Sequence, residues 1–165
     1  MATIEQYRTG WAAKAVKQAV DMIQSSRGAV LDTEQGQIIT KNVKSMEPLR
    51  LNEEQAVSFI KKADQCAVGD RVCKCVYPDA RHSESIFLDE LAEAMVDAGK
   101  ATFVSKEAAQ SVIKRYPGFP ILISKVSGKY MEICRSWPKK CVYWNMEKHK
   151  TRCIKRVNRH SGKAR

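Results

Sequence analysis

Helical and strand-like periodicities alternate along a chain of ordinary globular composition, which predicts a single-domain α+β fold. The chain has 165 residues, 44% of them hydrophobic and 28% charged. That is enough to bury a core of its own without disulfides or metals. No Pro-, Gly- or Ser-rich stretch divides it. With only one or two plausible crossovers between strand-like segments, a mixed α+β arrangement and a doubly wound sheet both remain open to this pattern. The expected boundaries are one α/β domain over residues 1–150 and a basic tail over 151–165.

From Ile4 to Ile23 the apolar residues recur at helical spacing, so one amphipathic N-terminal helix is expected there. Gly28, AVLD, a turn at Gly36 and QIITKN read as two short strands in a hairpin ended by Pro48. Asn52, with Gln55 three residues on, has the form of a capping box opening the helix EEQAVSFIKKAD. CAVGDRVCKCVY reads as a strand in which period two sets Cys73 and Cys75 on one face.

ESIFLDELAEAMVDAG reads as a helix from Ser83 stopped by Gly99, with Phe87, Leu91 and Met95 on its apolar side. Its acids Asp89, Glu90, Glu93 and Asp97 read as a solvent face. After ATFV, Ser105 caps KEAAQSVIKRY, which Pro117 and Pro120 close. ILISKV and GKYMEIC then pair around Ser127 and Gly128. Beyond Arg135 the pattern has no clean period.

Charge is strongly segregated. Residues 1–124 balance sixteen Lys/Arg against sixteen Asp/Glu, whereas residues 125–165 hold thirteen against two, so the whole net charge of +11 lies in the last quarter. Such polarity predicts an anionic partner: RNA or DNA, or a larger protein complex with an acidic surface. No stretch approaches the length of an apolar membrane span, so no membrane insertion is expected. The opening residues lack a secretory h-region, and a cytoplasmic location with reduced thiols is the expectation.

Under those conditions the six cysteines are candidates for metal ligation. They fall into two groups, Cys66, Cys73 and Cys75, then Cys134, Cys141 and Cys153. Convergence of Cys73, Cys75, Cys134 and Cys141 would make a tetrathiolate site suited to zinc or an iron–sulfur cluster. A second construction joins Cys141, His149 and Cys153 to one residue of the first group. Buried apolar thiols are the structural alternative. Arg135, Lys139 and Lys140 flank two of these cysteines in ICRSWPKKC, and nearby cations favour the thiolate form.

The segments EQAVSFIKKADQCAVGDRVCKC, ESIFLDELAEAMVDAGKATFVSKEAAQSVIKRY and YMEICRSWPKKC together resemble ferredoxin-type iron–sulfur proteins of anaerobic microbes. The resemblance covers about half of the chain and implies a cluster-binding role for Cys73, Cys75 and Cys134, with Cys141 a weaker match. Those relatives carry a denser second cysteine group and a further ferredoxin segment, which this chain replaces with basic residues.

The expected function is therefore a small metal-binding accessory protein, redox or assembly related, that docks through its basic quarter. The alternative is a nucleic-acid or ribonucleoprotein module in which Trp137, Tyr143 and Trp144 stack on bases, with Tyr130 nearby. Its phosphate contacts would come from Arg135, Lys139, Lys140, Lys148, Lys150, Arg152, Lys155 and Arg156. An enzyme is the weakest class: no Walker loop, GxGxxG, HExxH or nucleophile elbow is present. A thiol mechanism joining Cys75 to His82, Asp79 and Glu84 is the one catalytic grouping the sequence offers.

Overall fold

The computed structural model describes residues 1–73 and 84–157. Thr3 caps α1 (Ile4–Thr9) in a reciprocal box with Gln6. Gly10, at φ +81°, then turns the chain directly into α2 (Trp11–Ser25). The single N-terminal helix read from the sequence is thus two helices. The left-handed conformation at Gly10 is one that glycine adopts without steric cost, and Lys100 donates to the carbonyls of Tyr7 and Arg8 at the break.

The expected hairpin is also helical. Residues Ala29–Asp32 form a 3₁₀ turn, and Thr33 caps α3 (Glu34–Ser45), its hydroxyl accepting from Gly36 N. Gly36 is a contact glycine within α3, not a turn. A Cβ there would lie 1.9 Å from the carbonyl oxygen of Val30, so its absence lets helix and 3₁₀ turn meet backbone to backbone. The β-branched QIIT stretch was misleading because its strand propensity is overridden by this packing.

After β1 (Leu49–Leu51), Asn52 and Gln55 form the expected capping box of α4 (Glu53–Lys62). β2 (Cys66–Asp70) is shorter than the sequence suggests: Val72 and Cys73 already have helical backbone, so Cys73 does not lie on the face of a strand. Residues Glu84–Leu88, expected to open a helix, form β3, and the helix α5 begins only at Asp89 (Asp89–Asp97). Ser85, Ile86, Phe87 and Leu88 are all buried. A short run buried on both sides is a strand of the sheet interior, which periodicity alone does not separate from a helix.

β4 (Ala101–Val104) leads through the Ser105 cap into α6 (Lys106–Arg115). β5 (Ile121–Val126) and β6 (Lys129–Arg135) pair as expected, turning at Ser127 and Gly128, both at positive φ. The aperiodic end contains α7 (Val142–Lys148) and β7 (Lys155–Arg156), so the chain past residue 150 returns to the sheet.

The seven strands lie in the order β4-β2-β3-β6-β5-β1-β7. Neighbours are antiparallel except β1 and β7, which run parallel. This is the expected α+β class, and none of the described helices is long and apolar enough to cross a membrane. Cross-strand register sets Ile86, Ile123 and Ile133 on one face, where Ile60 of α4 and Ile113 of α6 join them in the core. The opposite face carries Leu122, Ser124, Glu132, Cys134 and Ser85. There Leu122 packs with Val20 and Ile23 of α2, Val43 of α3 and Met146 of α7.

Replacing Gly36 with Ala should lower stability by about 2 kcal/mol or more, in the range of overpacked sites. Chemical denaturation checks this; a midpoint equal to wild type would show that α3 and the 3₁₀ turn yield without cost.

Candidate functional site

Alternation along β5 and β6 points a stripe of polar side chains into the layer beneath α2 and α7, where an all-apolar seam would otherwise form. At its centre Glu132 is 8% exposed. Its carboxylate accepts from Tyr7 Oη at 2.5 Å and from Ser85 Oγ at 3.1 Å. Burial raises the Glu132 pKa, opposed by these two hydrogen bonds and by the charge of Arg71. The Tyr7 hydroxyl is pushed well above its ordinary value by burial and by Glu132. Arg71 is itself 2% exposed, and its Nη1 donates to the carbonyl of Arg135 at 3.2 Å.

Around this group lies a small cavity of about 40 Å³. Cys73, Cys134 and Cys141 all line it, together with Arg71, Glu132, Ser124 and Tyr143. Three of the four candidate ligands, from two distant parts of the sequence, therefore share one cavity. The fourth, Cys75, lies in 74–83, outside the described residues, as do His82 and Asp79 of the suggested catalytic grouping. Cys134 is partly exposed and borders this cavity.

Burial, reinforced by Glu132, raises the Cys134 pKa well above the ordinary thiol range, and burial pushes Cys141 up to about 11. In this arrangement both are neutral thiols near pH 7. Among the described residues no three His, Cys, Asp or Glu side chains are gathered closely enough to hold a metal ion. The thiols share a cavity without forming a coordination shell.

The remaining cysteines go elsewhere. Cys66, on β2, joins the core that contains Ile60. Cys153 donates to the Tyr143 carbonyl at 3.5 Å, and burial pushes its pKa up to about 12. His149 packs against Gly28, where a Cβ would come within 2.3 Å of the imidazole Nδ1. It does not line the thiol cavity.

The basic and aromatic candidates divide into two kinds. Arg135 is buried, donating to the carbonyls of Ile113 and Phe119 and to Glu53. Tyr143 is buried with its hydroxyl on Met46. Both hold the fold and are not surface contacts. Trp137 lines the thiol cavity, and half-buried Trp144 donates to Ser136 Oγ beneath the guanidinium of Arg50. Lys155 pairs with Glu47, whose carboxyl is held at about 2 by Lys125 and Lys155, and Arg156 is exposed on the edge strand β7. Lys140 reaches Gln24 at 3.4 Å. Lys139, Lys148, Lys150 and Arg152 are exposed, and no ion pair among the described residues engages them.

The acids of α5 are less idle than the sequence suggests. Asp89 accepts from Asp64 N, Glu93 from Gln65 Nε2, and Glu90 pairs with Lys129. Sequence reasoning missed Arg71, Tyr7 and Glu132 as a unit. Glu132 in the otherwise apolar strand YMEIC was the available signal, since a lone carboxylate at a core-facing position needs a partner.

No family model, no curated protein and no solved structure matches this chain.

Raised thiol pKa values have a direct consequence. In the native protein Cys134, Cys141 and Cys153 should alkylate with iodoacetamide far more slowly at pH 8 than after unfolding, and the rates should climb towards pH 11. Mass spectrometry of labelled peptides checks this; rapid native labelling of Cys141 at pH 8 would contradict the burial effect.

Proposed function

We propose that the protein is a small metal-binding accessory protein, redox or assembly related, whose site is built on the thiols of Cys73, Cys134 and Cys141. Their convergence on one cavity carries this reading. These side chains come from the segment after β2, from β6 and from the cap of α7, and packing alone does not require three cysteines to meet. Cys75, two residues beyond Cys73, completes the proposed donor set of four.

Soft sulfur donors of this number suit zinc or iron–sulfur chemistry, and a cavity of about 40 Å³ favours a single ion over a cluster. Arg71 supports the reading by supplying a fixed positive charge beside the thiolates that binding would create. Since the thiols do not form a coordination shell as they stand, binding calls for local side-chain rotation. The exposed cations Lys139, Lys148, Lys150 and Arg152 would dock the protein on an anionic partner.

Protein purified without oxygen should contain close to one equivalent of zinc or iron, or iron with acid-labile sulfide. Cys134→Ser and Cys141→Ser should each lower metal content at least tenfold, while Cys66→Ser leaves it unchanged. Elemental analysis, with circular dichroism to verify folding, makes the comparison. Folded, metal-free wild-type protein after reconstitution with zinc, or with iron and sulfide, would sink the proposal.

A further inference from the structure

The exposed cations do not form an isolated tail. Glu147 accepts from the backbone of Cys153 at 2.7 Å and Ile154 at 2.9 Å, and Lys155 N donates to the Pro48 carbonyl at 2.8 Å. These bonds pin residues 150–155 against the domain and present Lys150 and Arg152 at a fixed place. The opposing wall comes from the N-terminal half. Arg27 and Lys44, to which the sequence reading assigned no role, line a cleft of about 720 Å³ with His149, Lys150 and Arg152. Asp32 is its one acidic lining residue.

A second cleft of about 990 Å³ shares Arg27 and His149 with the first and continues past Trp144 to Lys139 and Lys148, with Glu147 its one acid. Within the second cleft Gln24 ties α2 to the segment around α7, donating to the Lys139 carbonyl at 2.7 Å and to Asn145 at 3.0 Å. Among the described residues no ion pair engages Arg27, Lys44, Lys139, Lys148, Lys150 or Arg152.

We infer that these joined clefts bind the phosphates of a single-stranded nucleic acid. This names the anionic partner of the docking surface proposed above and does not depend on the metal. Two features select a strand over a small phosphate. The cationic lining runs through two adjoining clefts, further than one phosphate group fills. Side chains of His149 and Trp144 also lie along the path, where unstacked bases seek aromatic surfaces. An acidic protein would match the charge without drawing on an aromatic lining.

The test is fluorescence anisotropy with a labelled twelve-nucleotide oligouridylate and the full-length protein. Binding should weaken on the order of fifty-fold between 50 and 200 mM salt if about four phosphates are neutralised. The triple variant Lys44→Gln, Lys150→Gln, Arg152→Gln should lose at least tenfold in affinity. Lys61→Gln, Lys62→Gln on α4 should bind as wild type, and all three proteins should melt alike. Equal binding by the triple variant, or none by wild type, overturns the proposal.

Competition separates the sources of negative charge. Pyrophosphate or polyglutamate displacing the strand at equal charge concentration would overturn it in favour of a small phosphate or an acidic protein. Folded Cys134→Ser protein that has lost metal should still bind the strand. A strand-binding protein that never takes metal would sink the metal reading alone, and a metal-loaded protein that ignores the strand would sink this one alone.

Discussion

A carboxylate in the middle of a sheet must find partners, and Glu132 obtains two donors and one neighbouring positive charge from three separate parts of the fold. Tyr7 comes from the N-terminal helix and Ser85 from the neighbouring strand, while Arg71 follows the end of β2 and supplies positive charge. Stranding a buried charge costs several kcal/mol. That cost ties α1 to β6 and holds the chain after β2 beside the β5–β6 hairpin. Because Cys73 follows Arg71 by two residues and Cys134 follows Glu132 by two, the same constraint brings the two cysteine groups to one cavity. Polar pairing sets the geometry, and the thiols follow from it.

The two faces of the hairpin divide the work. Ile123 and Ile133 face a dry core shared with α4 and α6, while Ser124, Glu132 and Cys134 face the layer of α2 and α7. A fully apolar second face would pack as well or better, since replacing buried charges with hydrophobic residues is often neutral or stabilising. Arg71, Glu132 and three thiols stand at that seam instead. On the outside of the same layer, the turn after α2 carries Arg27 and α7 carries Lys148 to the basic clefts, so the thiol cavity and the charged surface lie on the same two helical segments.

Much of the architecture was legible where a local signal is also the global one. The Asn52–Gln55 box, the Ser105 cap and the Ser127–Gly128 turn each act within four residues, and each stands as read. The misreadings share a different cause. Gly10 looked like a helical residue because its left-handed break is stabilised by Lys100, ninety residues away in the chain. Gly36 looked like a turn because its need to approach Val30 is invisible locally. ESIFL has no periodicity that separates strand from helix, because strand neighbours on both sides decide an interior strand.

The site was half legible for the same reason: cysteine spacing suggested convergence, but the Arg71 and Glu132 partnership depends on contacts across more than sixty residues. X-ray absorption at the zinc and iron edges of protein purified without oxygen reads the donor set itself. A thiol-built site gives a shell dominated by sulfur at about 2.3 Å, depleted in Cys134→Ser protein. A shell of oxygen and nitrogen only, or a sulfur shell unchanged in that variant, would contradict it.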